Sequence, residues 1–202
     1  MTDPIRFDAN GLVPCVLQDW RTGDVLTLAY MNAEALRLTR ETGEVHFFSR
    51  SRGRLWRKGE TSGNVQRLRQ LRYDCDGDAL IALVEPAGPA CHTGERSCFY
   101  RELDGDRGPV AHEALATLER TLRSRAEERP EGSYTVTLLD DPRLVAAKVE
   151  EEAEEVGRAA REESDERVAE EAADLLYHLS VLLTSRGIPQ SAVMEVLNGR
   201  RG

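Results

Sequence analysis

Apolar positions along the chain repeat with two different periods, and the change comes near residue 105. Before it, short apolar runs alternate with polar turns. The runs at 12–18 and 25–30 flank Asp19-Trp20-Arg21-Thr22-Gly23-Asp24, a pattern that predicts a β-hairpin. Asn32 is placed to cap a short helix reaching Arg40, with Gly43 just past its end. Further strands are predicted over 45–48, 65–73, 79–84 and 98–103, with a loop over 49–64. Asp104-Gly105-Asp106-Arg107-Gly108-Pro109 has the composition of a linker. Beyond it the period is helical. Leu115, Leu118 and Leu122 share one stripe of a helix over 111–128, and 130–134 reads as a loop leading into a short extended piece to 139. Asp141-Pro142 supplies a cap followed by proline at the first helical position, for a helix to about residue 161. Another helix follows Ser164 and ends near Gly187, and Pro189 starts a short last one. The expectation is a mostly-β (α+β) domain over 1–106 and an all-α helical bundle over 107–202.

On a wheel at about 100° per residue, Val145, Val149, Ala153, Val156 and Ala160 form the buried stripe of the helix after Pro142. Lys148, Glu151, Glu152 and Glu155 fall on one flank of it, while Glu150 and Glu154 lie on the far side, with Arg158 in reach of Glu154. In the next helix the stripe is Val168, Ala172, Leu175, Leu179 and Leu182, edged by Glu171, Asp174 and His178, and Glu170 points away. Charge runs on amphipathic helices are usually solvated faces. Two helices with carboxylates at the margins of their buried faces are also able to hold Mg²⁺ and leave places for substrate phosphates.

Composition narrows the classes. Acidic residues outnumber basic ones, 36 to 27 in 202 residues, which argues against a nucleic-acid binder. No apolar run is long enough to cross a membrane, and the start lacks a signal-peptide core, so the expected location is the cytoplasm. There, four cysteines point to metal or thiol chemistry ahead of disulfides. Cys15 sits in an apolar run and is expected in the core.

The densest chemistry lies between Tyr73 and Cys98. With 74–78 extended, Asp74, Asp76 and Asp78 would share one face and Cys75 the other. Carboxylate oxygens suit Mg²⁺, and thiolates suit Zn²⁺. Cys75, Cys91 and Cys98 are one ligand short of a closed zinc tetrahedron, the arrangement of hydrolytic zinc sites. His92, beside Cys91, is a candidate base or a fourth ligand. Upstream, 49–64 carries Arg50, Arg52, Arg54, Lys58 and Ser62 among glycines. These are groups suited to phosphate oxygens, although an exposed basic loop has the same composition.

Ser49-Arg50-Ser51-Arg52, Leu55-Trp56, Lys58-Gly59-Glu60, Ser62-Gly63-Asn64, Asp74-Cys75-Asp76-Gly77-Asp78, Gly88-Pro89-Ala90-Cys91-His92-Thr93-Gly94 and Ser97-Cys98-Phe99 resemble the phosphoribosyl-AMP cyclohydrolase family. That resemblance implies a zinc-dependent N-terminal domain, with zinc on Cys75, Cys91 and Cys98 drawn from both subunits of a homodimer. It also implies Mg²⁺ on Asp74, Asp76 and Asp78. Gly132-Ser133-Tyr134-Thr135, Lys148-Val149, Glu151-Glu152-Ala153, Glu155-Val156 and the run from Glu171 to His178 resemble phosphoribosyl-ATP pyrophosphohydrolase. There Glu151, Glu152, Glu155, Glu171 and Asp174 match the magnesium-binding pairs, Glu152 is a candidate for activating water, and Lys148 a candidate for phosphate. The resemblances together imply two successive hydrolyses of small nucleotide substrates in histidine biosynthesis.

Overall fold

A computed structural model of the chain describes residues 4–105, 108 and 110–200. The chain divides into two compact units, Met1–Gly108 and Pro109–Gly202. The predicted boundary between 106 and 107 falls outside the described residues.

The first unit is a sheet region with one helix. β1 (Val13–Asp19) alternates fully buried and half-buried positions along its length, as a strand covered mainly on one face must. It pairs antiparallel with β2 (Val25–Met31) and parallel with β6 (Leu80–Pro86), and β6 pairs antiparallel with β5 (Gln66–Tyr73), giving the order β2-β1-β6-β5. β3 (His46–Ser49) and β4 (Arg54–Arg57) form a separate hairpin. Helix α1 (Ala33–Thr42) starts where the Asn32 side chain accepts the Ala35 N–H at 2.8 Å, and ends at Gly43 in the left-handed region. Its buried face joins Leu17, Leu26, Met31, Val45, Phe47 and Val84 in the core. Cys15 is fully buried there, and burial pushes its thiol up to about 12, the state of an inert core cysteine.

The second unit is helical. A short 3₁₀ turn, Ala111–Glu113, leads into α2 (Ala114–Glu128), followed by α3 (Tyr134–Asp140), α4 (Pro142–Glu162), α5 (Asp165–Ser185) and α6 (Gln190–Gly199). The Asp141 carboxylate accepts the N–H groups of Arg143 and Leu144, both at 3.0 Å, and Ser164 caps α5 through the Arg167 N–H. Leu122, Leu138, Val145 and Val181 form the core. Among the described residues no helix is long and apolar enough to cross a membrane.

Five local expectations need correction. The loop over 49–64 contains β4, because Leu55 and Trp56 pack onto the core opposite Phe48 and Phe47. No strand forms over 98–103; the Cys98 N–H makes a 2.8 Å bond to the Leu26 carbonyl, but Leu103 is exposed. Residues 74–79 are a turn between β5 and β6, not an extended segment, with Gly77 at φ 80°. The piece from Tyr134 to Asp140 is helical: burial of Leu138 against α2 and α5 outweighs the extended preference of Thr135, Val136 and Thr137. Finally, the buried faces of the two long helices differ from their apolar stripes. In α4 the buried positions are Val145, Glu152 and Ala159, while Ala153 and Ala160 are exposed. In α5 the fully buried ones are Glu171, His178, Ser180 and Val181, whereas the predicted stripe is only half-buried. Packing of α4 on α5 turns the carboxylates inward, a choice no hydropathy scale makes.

Candidate functional sites

The turn after β5 brings Asp74, Asp76 and Asp78 together so that one oxygen from each lies within 4.8 Å of the others. The curl does this, not strand alternation. Gly77 is required at its tip: a Cβ there would lie 2.3 Å from the Pro4 carbonyl oxygen. The N-terminal segment is tied to this turn by the Arg6 N–H on the Gly77 carbonyl at 2.7 Å and by Arg6 with Asp76 at 2.7 Å. Desolvation raises the Asp74 carboxyl, but the N–H groups of Ala79, Asp78 and Gly77 and the Asp78 side chain outweigh it and hold Asp74 below its ordinary value. Asp78 is pushed up, first by its hydrogen bond with Asp74 and then by the charges of Asp76 and Asp74. A carboxylate group crowded in this way is one that a hard cation relieves.

Cys91 and Cys98 lie on an arm that folds back on itself. The Ala90 N–H bonds the Arg96 carbonyl at 3.0 Å and the Cys91 N–H bonds the Glu95 carbonyl at 3.1 Å. The Arg96 guanidinium reaches Asp24 at 2.9 Å and also holds the buried Asp19, fastening the arm to the β1–β2 turn. Thr93 donates its hydroxyl to the Cys91 sulfur at 3.1 Å, and that bond, aided by the Thr93 N–H and by Cys98, holds the Cys91 thiol below its ordinary value. A thiol biased toward thiolate fits a soft metal. Among the described residues, Cys75 does not join Cys91 and Cys98 in a donor group within 4.8 Å. Cys75 is exposed on the aspartate turn. His92 is exposed, with Nδ1 3.9 Å from the Cys91 sulfur.

The side chains of the basic segment are held by separate local contacts. Arg50 stacks over Tyr30 at 3.9 Å, Arg52 bonds Ser49, Arg54 pairs with Glu60 at 3.6 Å, and the Ser62 hydroxyl accepts the Asn64 N–H. Lys58 stands apart from these. It is half-buried, donates to the Ala90 carbonyl, and is pushed down by desolvation against the opposing pull of Cys98 and Cys91. Its ammonium therefore belongs to the neighbourhood of the thiols.

In the helical unit, Glu152, Glu155 and Glu171 each offer an oxygen within 4.8 Å of the other two. Glu152 is 6 % exposed and Glu171 4 % exposed. Burial pushes the Glu152 carboxyl up; His178 opposes this, and Asp174 and Glu155 add to it. Each carboxylate has a cationic or imidazole neighbour: Arg167 on Glu171, Arg158 on Glu155 at 3.2 Å, and His178 Nδ1 3.4 Å from Glu152. Arg158 pairs with Glu155 and Glu163, not with Glu154 as the wheel suggested. Glu151 is exposed and paired with Lys148 at 2.7 Å, and Asp174 is exposed; both stand outside the trio. Arg167 and His178 received no role from the sequence. Their signal was present as spacing, Arg167 four residues before Glu171 and His178 four after Asp174.

Each unit of the chain matches a known family. Residues 27–100 match the family of phosphoribosyl-AMP cyclohydrolase, and residues 115–201 that of phosphoribosyl-ATP pyrophosphohydrolase. A histidine biosynthesis bifunctional protein HisIE of Bacillus subtilis is 49% identical over 199 residues, covering 98% of this chain and 95% of its own length. Proteins of the same name from Pyrococcus furiosus and Thermus thermophilus are 50% and 48% identical, covering 95% and 96% of this chain and 92% and 90% of theirs. The aspartate turn and cysteine arm fall within the first match, and the buried glutamate trio within the second. This chain therefore belongs to the HisIE family of bifunctional histidine-biosynthesis proteins.

Proposed function

We propose that each unit performs one of two successive hydrolyses, using the side-chain groups described above. In the helical unit, phosphoribosyl-ATP and water give phosphoribosyl-AMP and pyrophosphate. In the sheet unit, water adds at C6 of the adenine ring of phosphoribosyl-AMP and the N1–C6 bond breaks, leaving an imidazole carboxamide. The observation that carries this reading is the placement of one ligand cluster inside each of the two family matches.

Glu152, Glu155 and Glu171 are the residues that would hold Mg²⁺ in the helical unit, with Glu151 and Asp174 at its rim. The donor set fits, since all are hard oxygens and their mutual crowding favours a cation. Magnesium, when bound, neutralises phosphate charge. Lys148, beside the trio, would hold a phosphate once released from Glu151, and Glu152 would take the proton of the attacking water. In the sheet unit, Asp74, Asp76 and Asp78 would hold a second Mg²⁺. Cys91, Cys98 and Cys75 would hold zinc, and the separation of Cys75 from the other two supports a site completed by a second copy of the chain. Zinc, when bound, supplies Lewis acidity near neutral pH. His92 would then move the proton at the ring, and Arg50, Arg52, Arg54, Lys58 and Ser62 would face the substrate phosphates.

The test supplies phosphoribosyl-ATP to the purified, metal-loaded chain and follows both pyrophosphate and ring opening. Both should appear. Pyrophosphate without any ring opening, in protein with a full zinc complement, would overturn the assignment of the sheet unit.

A further inference from the structure

Arginine supplies all but two of the chain's 27 Lys and Arg residues. The two lysines, Lys58 and Lys148, both stand at candidate cation sites. Lys148 pairs with Glu151 beside the glutamate trio. Lys58 has a less usual setting. It is half-buried, and its ammonium lies 5.6 Å from the centre of the Trp56 ring and donates to the Ala90 carbonyl. Its backbone N–H donates to the Val45 carbonyl at 2.9 Å. Among the described residues no carboxylate pairs with its ammonium. A half-buried cation without an anion is costly, so the charge needs another partner. The groups that supply one are Cys98 and Cys91, which act on this ammonium when ionised.

From this placement we infer that Lys58 is a positioning residue for the cysteine metal site: it fixes the Cys91 end of the arm through Ala90 and supplies the positive charge that metal-bound thiolates need beside them. Two features carry this. The first is mechanical. Ala90 is 2 % exposed, immediately precedes Cys91, and pairs with Arg96 across the arm at 3.0 Å. Arg96 and Ser97 tie the far end to the β1–β2 hairpin, Arg96 through Asp24 at 2.9 Å and Ser97 through the Val25 carbonyl at 2.7 Å. Lys58, just past the end of β4, ties the near end. With both ends fixed, the spacing of Cys91 and Cys98 is set before a metal arrives. The second feature is charge. Cys75, Cys91 and Cys98 as thiolates around a divalent ion leave one negative charge over, and one ammonium balances it. A compact ammonium does both tasks at one atom, with an N–H on Ala90 and its charge within electrostatic reach of the sulfurs. A guanidinium spreads its charge over a planar fork and is not its equivalent. A lysine at this position, in a chain so rich in arginine, fits that demand. The inference rests on the reading of Cys91 and Cys98 as zinc ligands, and it gives Lys58 a task besides the phosphate contact assigned above.

The probe is Co²⁺, a spectroscopic substitute for zinc. It is titrated into full-length chain at one fixed chain concentration and followed by its thiolate charge-transfer absorption. The component that Cys91→Ser removes is taken as the cysteine site. Groups that orient a ligand from behind are worth about 10–100-fold in metal affinity. Lys58→Met, of nearly the same length, should therefore weaken that component by about tenfold or more, and so should Lys58→Arg. Melting of each variant in chelator is the control for folding. A purely structural role would lower that melting point and leave the Co²⁺ affinity unchanged, which would overturn the inference. Lys58→Arg with the parent's affinity would overturn it too, because any cation would then serve. If Lys58→Met does not fold, Lys58→Gln replaces it under the same limits. If Cys91→Ser removes no component at all, it is the underlying reading of the cysteines as ligands that fails.

Discussion

Replacing Glu152 by glutamine tests the helical site at one of its two buried carboxylates. The change is nearly isosteric and takes one of three charges from the trio. A group that stabilises charge developing in a transition state is worth about 10²–10³ in kcat, or about 2.7–4 kcal/mol. Release of pyrophosphate from phosphoribosyl-ATP should fall by at least that factor, with ring opening of phosphoribosyl-AMP unchanged. Glu154→Gln is the control. Glu154 is two residues on, about 200° around the helix, exposed, and outside the trio. Its substitution should change the rate by no more than about twofold. Stability should move the other way. Burial holds the folded Glu152 carboxyl above its unfolded value, so its contribution to stability is fully present in acid and is lost as pH rises through the folded value. In chelator near neutral pH, Glu152→Gln should therefore melt higher than the parent, and the difference should vanish in acid. Pyrophosphate release is followed by a coupled phosphate assay and melting by circular dichroism. Equal loss of activity in the two variants, or a lower melting point for Glu152→Gln in chelator, would refute the reasoning.

In the sheet unit, Cys91→Ser should lose zinc, ring opening and much of the dimer together while pyrophosphate release persists; metal analysis and sedimentation check this, and a fully dimeric zinc-free variant would exclude a metal shared between copies. Because Thr93 holds the Cys91 thiol low, Thr93→Val should shift the loss of zinc upward in pH, as seen in a pH titration of bound metal. Gly77→Ala places a methyl 2.3 Å from the Pro4 carbonyl at a φ of 80°, which should cost about 1–3 kcal/mol in a denaturant titration and weaken ring opening; an unchanged midpoint would mean the turn is free to shift. A fragment ending at Gly105 should still open phosphoribosyl-AMP and leave phosphoribosyl-ATP untouched, and a folded fragment without ring-opening activity would count against independent units.

Most elements were readable where local chemistry is explicit. Asn32 and Gly43 bound α1, Asp141-Pro142 starts α4, and Gly23 closes the β1–β2 turn, because caps and turns are decided by a few neighbouring atoms. What failed depends on distant partners. β4 forms because Trp56 reaches Phe47, and α3 because Leu138 is buried by α2 and α5. The candidate ligands were legible as residue types, but not as sets. Asp74, Asp76 and Asp78 meet through a turn that alternation does not describe. Glu152 was placed at the edge of a stripe whose centre it occupies, since a wheel weighted by hydropathy has no term for a carboxylate facing other carboxylates. His178 was visible as a spacing, but its contact with Glu152 exists only once α4 and α5 are packed.

The central claim, two chemically separate sites acting in series on one chain, is tested most directly by mixing two full-length variants that each lack one activity. Cys91→Ser chain given phosphoribosyl-ATP should release pyrophosphate and accumulate phosphoribosyl-AMP with its ring intact. Glu152→Gln chain should turn over phosphoribosyl-ATP at least about 10²-fold more slowly than the parent. Mixed in equal amounts and supplied with zinc and magnesium, the two should convert phosphoribosyl-ATP through to the ring-opened product, with pyrophosphate appearing before ring opening. Ring-opened product from either variant alone at the parent's rate, or none from the mixture while both variants keep their remaining activity, would contradict the account.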